Sequence, residues 1–290
     1  MRNKKIASLI VFGVLFVFVF AAGGQAATVR INPTKVRLII PPGGSQTGTI
    51  EVDNPSEGSI VVKSYLEDWT YTSLHDGTKN FFPARSTALS CSDWITVSLN
   101  EFVVPAFSRQ AIHYTVRVPQ DARGGHYAAL FFESLLSKPG IGDTAELGVV
   151  VRIGALFYIE AEGSAQRAAE ISNFSLERRS NSEPLKISAD FQNTGSVDIT
   201  AAGTFHIMDD QGMIFARGEL DKVYLFPKET AKFASSWKGS FSKGKYNLVI
   251  TIDIGKALEE AKLGRGPVIT KEAELEIGGE GEVLRVGELK

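Results

Sequence analysis

Residues 145–160 read AELGVVVRIGALFYIE. Side chains along a β-strand alternate between its two faces. Every odd position here (Ala145, Leu147, Val149, Val151, Ile153, Ala155, Phe157, Ile159) is apolar. The even positions mix Glu146, Gly148, Arg152, Gly154 and Tyr158 with Val150 and Leu156. A strand is commonly about five or six residues long, so this pattern is more than twice the ordinary length. One face is an unbroken apolar row. Either the rest of the chain covers that row, or part of it is kept for a partner.

The same alternation recurs on both sides. Residues 29–40 form a first strand pattern, broken by Pro33 and closed by Pro41-Pro42-Gly43-Gly44. Residues 47–52 follow, then 60–69, which place Val61, Lys63, Tyr65, Glu67 and Trp69 on one face. Residues 75–92 read as a polar excursion turning at Asp76-Gly77, a hairpin-type dipeptide. Strand patterns resume at 94–99, 102–105, 111–118 and 126–136, and a polar loop at 137–144 leads into the opening stretch. After Gly163 the composition turns small and polar. A second series of strands then runs through 171–177, 185–193, 203–208, 213–220, 230–236, 246–254 and 268–277. Asp209-Asp210-Gln211-Gly212 reads as a hairpin turn, and 257–263 (ALEEAKL) as a short helix bounded by Gly255 and Gly264. Strands at this spacing predict an all-β chain of two immunoglobulin-like β-sandwich domains, 27–163 and 164–277. Residues 278–290 read as a disordered polar tail.

The N-terminus predicts export. Arg2, Lys4 and Lys5 precede an apolar core at 9–22, and Gly24 and Ala26 supply small residues at a cleavage site. That core falls short of the roughly 20 residues a spanning helix needs. The expectation is a cleavable Sec-type signal peptide over 1–26 and a periplasmic or extracellular protein, with no membrane anchor in the mature chain. Removing three basic residues takes the formal charge from −2 to −5, which carries no nucleic-acid footprint. Cys91 is the sole cysteine, so stability rests on hydrophobic cores rather than an intrachain disulfide.

Catalytic constellations do not emerge. Residues 239–245 (GSFSKGK) have phosphate-loop spacing, but Tyr246 stands where a hydroxyl should hold magnesium, and no helix pattern follows. His75, His113, His126 and His206 are scattered without metal-ligand spacing. The reading is therefore no catalytic residue, no metal and no cofactor. Trp69, Trp94 and Trp237 read as packing residues rather than a carbohydrate platform. Lys35 and Arg37, two apart, share one side of the first strand. They read either as solvated charges on an edge strand or as a basic grip for a carboxylate.

Four stretches of the first domain resemble the N-terminal domain of PapD-like periplasmic pilus-assembly chaperones. Asn32-Pro33-Thr34-Lys35-Val36 resembles the family's opening strand, and Ile50-Glu51-Val52-Asp53-Asn54 its second strand with a terminal Asn. Tyr127-Ala128-Ala129-Leu130-Phe131-Phe132 resembles a later core strand, and Leu156-Phe157-Tyr158 the end of the last one. The second domain is similar, at Asn193-Thr194-Gly195-Ser196-Val197 and Gly244-Lys245-Tyr246, to Ig-like modules of bacterial surface proteins.

The resemblance implies donor-strand complementation of a pilin-like exported subunit, a form of strand addition. Leu147, Val149, Val151 and Ile153 would supply the apolar row. Counted from Leu156-Phe157-Tyr158, the family's donor register falls instead on Val150, Gly148 and Glu146, and a one-residue bulge at Gly154 would restore the phase. Lys35 matches the family's carboxylate-binding Arg in charge, while Ala155 stands at the position of its Lys. The other reading is an extracellular structural or adhesive module without a client, whose apolar row is covered within the molecule.

Overall fold

A computed structural model describes residues 29–137 and 148–290. The expected signal peptide, most of the 137–144 loop and Leu147 lie outside the described residues. The first five strands are β1 (Arg30–Asn32), β2 (Lys35–Ile40), β3 (Ser45–Asn54), β4 (Ile60–Tyr71) and β5 (Lys79–Pro83). The next five are β6 (Ile95–Val97), β7 (Glu101–Val104), β8 (Ser108–Arg117), β9 (Gly125–Ser137) and β10 (Gly148–Ala161). They build a four-stranded sheet in the order β1-β3-β8-β6 and a six-stranded sheet in the order β2-β10-β9-β4-β5, with β7 also on β4. Alternation turns Ile50 and Val52 of β3, Ile112 and Val116 of β8, and Leu130 and Phe132 of β9 into one buried core between the sheets. The chain changes sheets at Pro33, which has no N–H to donate to a ladder. Ahead of it β1 runs antiparallel to β3, and beyond it β2 runs parallel to β10.

The second sandwich contains β11 (Ala169–Glu177), β12 (Leu185–Asn193), β13 (Ile199–Met208), β14 (Ile214–Leu225) and β15 (Thr230–Trp237). It continues through β16 (Gly244–Asp253), the short helix α1 (Lys256–Glu260), β17 (Val268–Ile277) and β18 (Val283–Val286). Its sheets run β11-β12-β15 and β14-β13-β16-β17-β18, closing on Phe191, Phe205, Phe233 and Leu248. The chain is all-β, two immunoglobulin-like sandwiches, as the strand spacing requires.

Two expectations are corrected. The polar excursion contains β5, which pairs with β4 after the Asp76-Gly77 turn, where Asp76 Oδ1 accepts the Thr78 N–H at 2.9 Å. The tail is not disordered: it folds back as β18 on β17, and Val283, Val286 and Leu289 pack against the second core. Gly281, at φ +81°, makes that turn possible.

The two sandwiches also share a device that the sequence shows only faintly. Asn54, at the end of β3, donates to Gly58 O at 2.8 Å and Val104 O at 3.0 Å, while its Oδ1 accepts the Ser56 N–H. Asn193, at the end of β12, donates to Val197 O at 2.8 Å and Leu225 O at 3.2 Å, while its Oδ1 accepts the Gly195 N–H. Each buried amide closes the turn after its strand and ties it to a distant one.

Cys91 is fully buried in the first core. Burial pushes its thiol well above the ordinary range, and the nearby Asp68 charge adds to the shift. A soluble thiol reagent at mildly alkaline pH is therefore expected to modify Cys91 only as the protein unfolds. Fast labelling of the folded protein would contradict this placement.

Candidate partner-binding strand and interdomain cleft

The long strand β10 is supported unequally on its two sides. On one side β9 follows it from Gly148↔Ser137 to Glu160↔Gly125 without a shift of register. On the other, β2 covers only residues 156–161, beginning at Leu156↔Lys35. Among the described residues no strand pairs with 148–155 on that side. This is an open backbone edge.

The apolar row on β10 changes environment along its length. Ala155, Phe157 and Ile159 are completely buried, and Ile153 packs partly against the same core. Val151 is half-buried, and Val149 is 47% exposed. The row runs from the core out into solvent along a single strand.

The bulge at Gly154 that would have restored the phase is absent: Gly154 sits in register opposite Phe131. A Cβ there would lie 2.8 Å from the Phe131 ring. The glycine makes room for an aromatic ring, and the ladder stays regular. The apolar row therefore faces the sandwich interior, and Val150 lies on the outer face.

That outer face is aromatic and charged. The Arg152 guanidinium lies 3.5 Å over the Phe131 ring and pairs with Glu67. Tyr65 donates to Glu133 at 2.7 Å. Further along, Trp69, Tyr71, Tyr127 and Tyr158 meet Phe226 of the second sandwich, and Tyr127 stacks on Phe226 at 4.2 Å. Trp69 is buried there and donates to Ala128 O at 3.1 Å, so it is interdomain packing. Trp94 and Trp237 pack against the first and second cores respectively.

Lys35 and Arg37 share one face, as their spacing requires, and both lie over the Tyr158 ring, at 5.5 and 4.4 Å. Their surroundings differ. Arg37 is buried, not a solvated charge: its fork binds Asp198 through Nη1 at 2.9 Å and Nη2 at 2.6 Å. Nη1 also donates to Glu160 at 2.7 Å, and Arg167 supplies a second cation to Glu160. The Asp198 N–H donates to the Tyr127 hydroxyl at 2.7 Å. Burial pushes the Arg37 guanidinium down, but Asp198 and Glu160 outweigh it, so its proton is held more firmly than usual. This correction has a physical source: Asp198 arrives from the second sandwich, 161 residues away, and no local pattern announces it.

Lys35 remains accessible, with its side chain 44% exposed. It lies in a cleft of about 300 Å³ lined by Pro33, Val36, Arg37, Tyr114 and Glu260. Among the described residues, no group of three or more His, Cys, Asp or Glu side chains is placed to hold a metal ion. No helix among them is long and apolar enough to cross a membrane.

Neither a family model nor a curated protein sequence matches the chain. Among solved structures it is similar to the class 5 fimbriae chaperone CfaA, at 15% identity over 91% of this chain and 99% of that one, with a TM-score of 0.48. It is also similar to a structure of the Salmonella enterica SafA pilin in complex with the SafB chaperone. There the identity is 14%, the coverage 85% of this chain and 96% of that one, and the TM-score 0.42. A third is the CsuC–CsuE chaperone–tip adhesion subunit complex from Acinetobacter baumannii, at 12% identity, 84% and 98% coverage and a TM-score of 0.41.

Proposed function

We propose that this is an exported, non-catalytic, chaperone-like protein that binds an extended segment of a pilus or surface subunit by adding it as a strand to β10. In this reading residues 1–26 direct export, and the working protein is the sandwich at 27–163 and a second one that starts at 164 and runs past 277 to include β18. The observation that carries the reading is the coincidence on one strand of an open backbone edge and a half-covered apolar row. Main-chain hydrogen bonds along 148–155 provide affinity, and Leu147, Val149, Val151 and Ile153 select an alternating apolar partner. Completing the burial of each half-exposed valine contributes about 1 kcal/mol.

The proposal gives the guest the direction that β2 already takes on this edge. A strand laid parallel to β10 along the open edge meets the start of β2 and ends at Lys35, opposite Leu156. Its terminal carboxylate then lies beside an accessible ammonium group. Lys35 alone serves this role in the proposal, because Arg37 is saturated by Asp198 and Glu160.

Amide hydrogen exchange on the isolated protein tests the reading. Open-side amides of residues 149–153 are expected to exchange quickly, while those of 156–161, paired on both sides, exchange slowly. Adding a client slows the first group. Uniform strong protection across β10 in the free protein would support the other reading, a surface module without a client. The covered half of the row, from Ala155 to Ile159, is the observation in that reading's favour.

A further inference from the structure

Glu260, the last residue of α1, reaches from the second sandwich to the first. Its Oε2 lies 3.8 Å from Lys35 Nζ, and its Oε1 accepts a hydrogen bond from Lys222 Nζ of β14 at 3.2 Å. The three side chains are 44%, 38% and 40% exposed for Lys35, Glu260 and Lys222. The neighbouring Glu259 pairs with Lys256 and takes no part. A carboxylate of the protein itself thus stands at the ammonium group where an added strand would end.

We infer that Glu260 is an internal occupant of the carboxylate subsite at Lys35, and that a client carboxylate binds there by displacing it. The inference rests on the strand-addition reading and adds a specificity device to it. An exposed ion pair of this kind is weak, so displacing it costs little. Lys222 gives Glu260 somewhere to go: the tighter of its two contacts survives when Lys35 is taken, and no charge is stranded. The consequence is selectivity. A stray carboxylate gains nothing by exchanging one weak pair for another, whereas a segment already laddered along β10 brings its carboxylate to Lys35 at high local concentration.

The test uses the full mature protein and two acetylated peptides of alternating Val and Thr, one with a free C-terminal carboxylate and one amidated. Glu260→Gln is expected to tighten the carboxylate peptide by about two- to fivefold, the range of an exposed pair, and to leave the amide unchanged. Lys35→Met is expected to make the two peptides equivalent, with or without Glu260→Gln. Equal carboxylate affinity in the parent and Glu260→Gln, with the carboxylate still preferred over the amide, overturns the inference and leaves strand addition standing. A carboxylate peptide that gains nothing over the amide in either protein removes the subsite itself. Failure of both peptides to bind either protein overturns the strand-addition reading, and the inference falls with it.

Discussion

Val149→Asp combined with Val151→Asp is expected to abolish co-purification of exported subunits while leaving the protein folded. In the free protein the two positions lie beyond the closed part of the core, with Val149 47% exposed, so an aspartate at either can stay hydrated. In the complex both would be covered by the added strand. An unpaired carboxylate taken out of water costs several kcal/mol, and each 1.4 kcal/mol is a tenfold loss of affinity. Two such residues exceed what a ladder of this length supplies. Thermal unfolding and circular dichroism of the double variant report on the fold, and recovery of subunits reports on binding. Undiminished recovery with a folded variant would remove β10 as the binding strand.

Arg37→Met is expected to destabilise the protein by about 3–5 kcal/mol, the cost of stranding a buried partner charge. The loss falls on the joint between the sandwiches, because Arg37 stands on β2 of the first and Asp198 immediately precedes β13 of the second. Calorimetry is expected to show the variant unfolding over a broader range than the parent, or in separate steps for the two sandwiches. Arg37→Met with Asp198→Leu is expected to recover much of the loss, since replacing both members of a buried pair by apolar groups is often close to neutral. Arg167 continues to neutralise Glu160 in that double variant. A single Arg37→Met variant as stable as the parent would show that the ionic joint contributes little.

Much of the fold was legible from alternation. The pattern at 145–160 declared the inward face of the strand, which among the described residues runs Gly148–Ala161, and the Asp76-Gly77 and Asp209–Gly212 turns fall where their residues place them. What stayed hidden has specific causes. β5 carries Phe81 and Phe82 on opposite faces, so the short segment lacks alternation. β18 is four residues long and follows a glycine-rich stretch that by composition alone reads as unstructured. The register of the resemblance called for a bulge, for which Gly154 was the place, but the demand this glycine satisfies comes from a ring on the adjacent strand. At the site, Lys35 and Arg37 were visible as a pair, yet their separate fates depend on Glu260 and Asp198. Both carboxylates are contributed by a sandwich whose approach no spacing rule encodes.

The sheet change at Pro33 acts as the stop on a ruler. By leaving the four-stranded sheet there and joining β10 only at Lys35, the chain defines one end of the free edge. The described edge from that stop back to Gly148 is about 26 Å long, at roughly 3.3 Å per residue. A guest strand added as proposed would be measured from its end: moving the start of β2 by two residues would slide the guest's terminus by about 7 Å while preserving which side chains face inward.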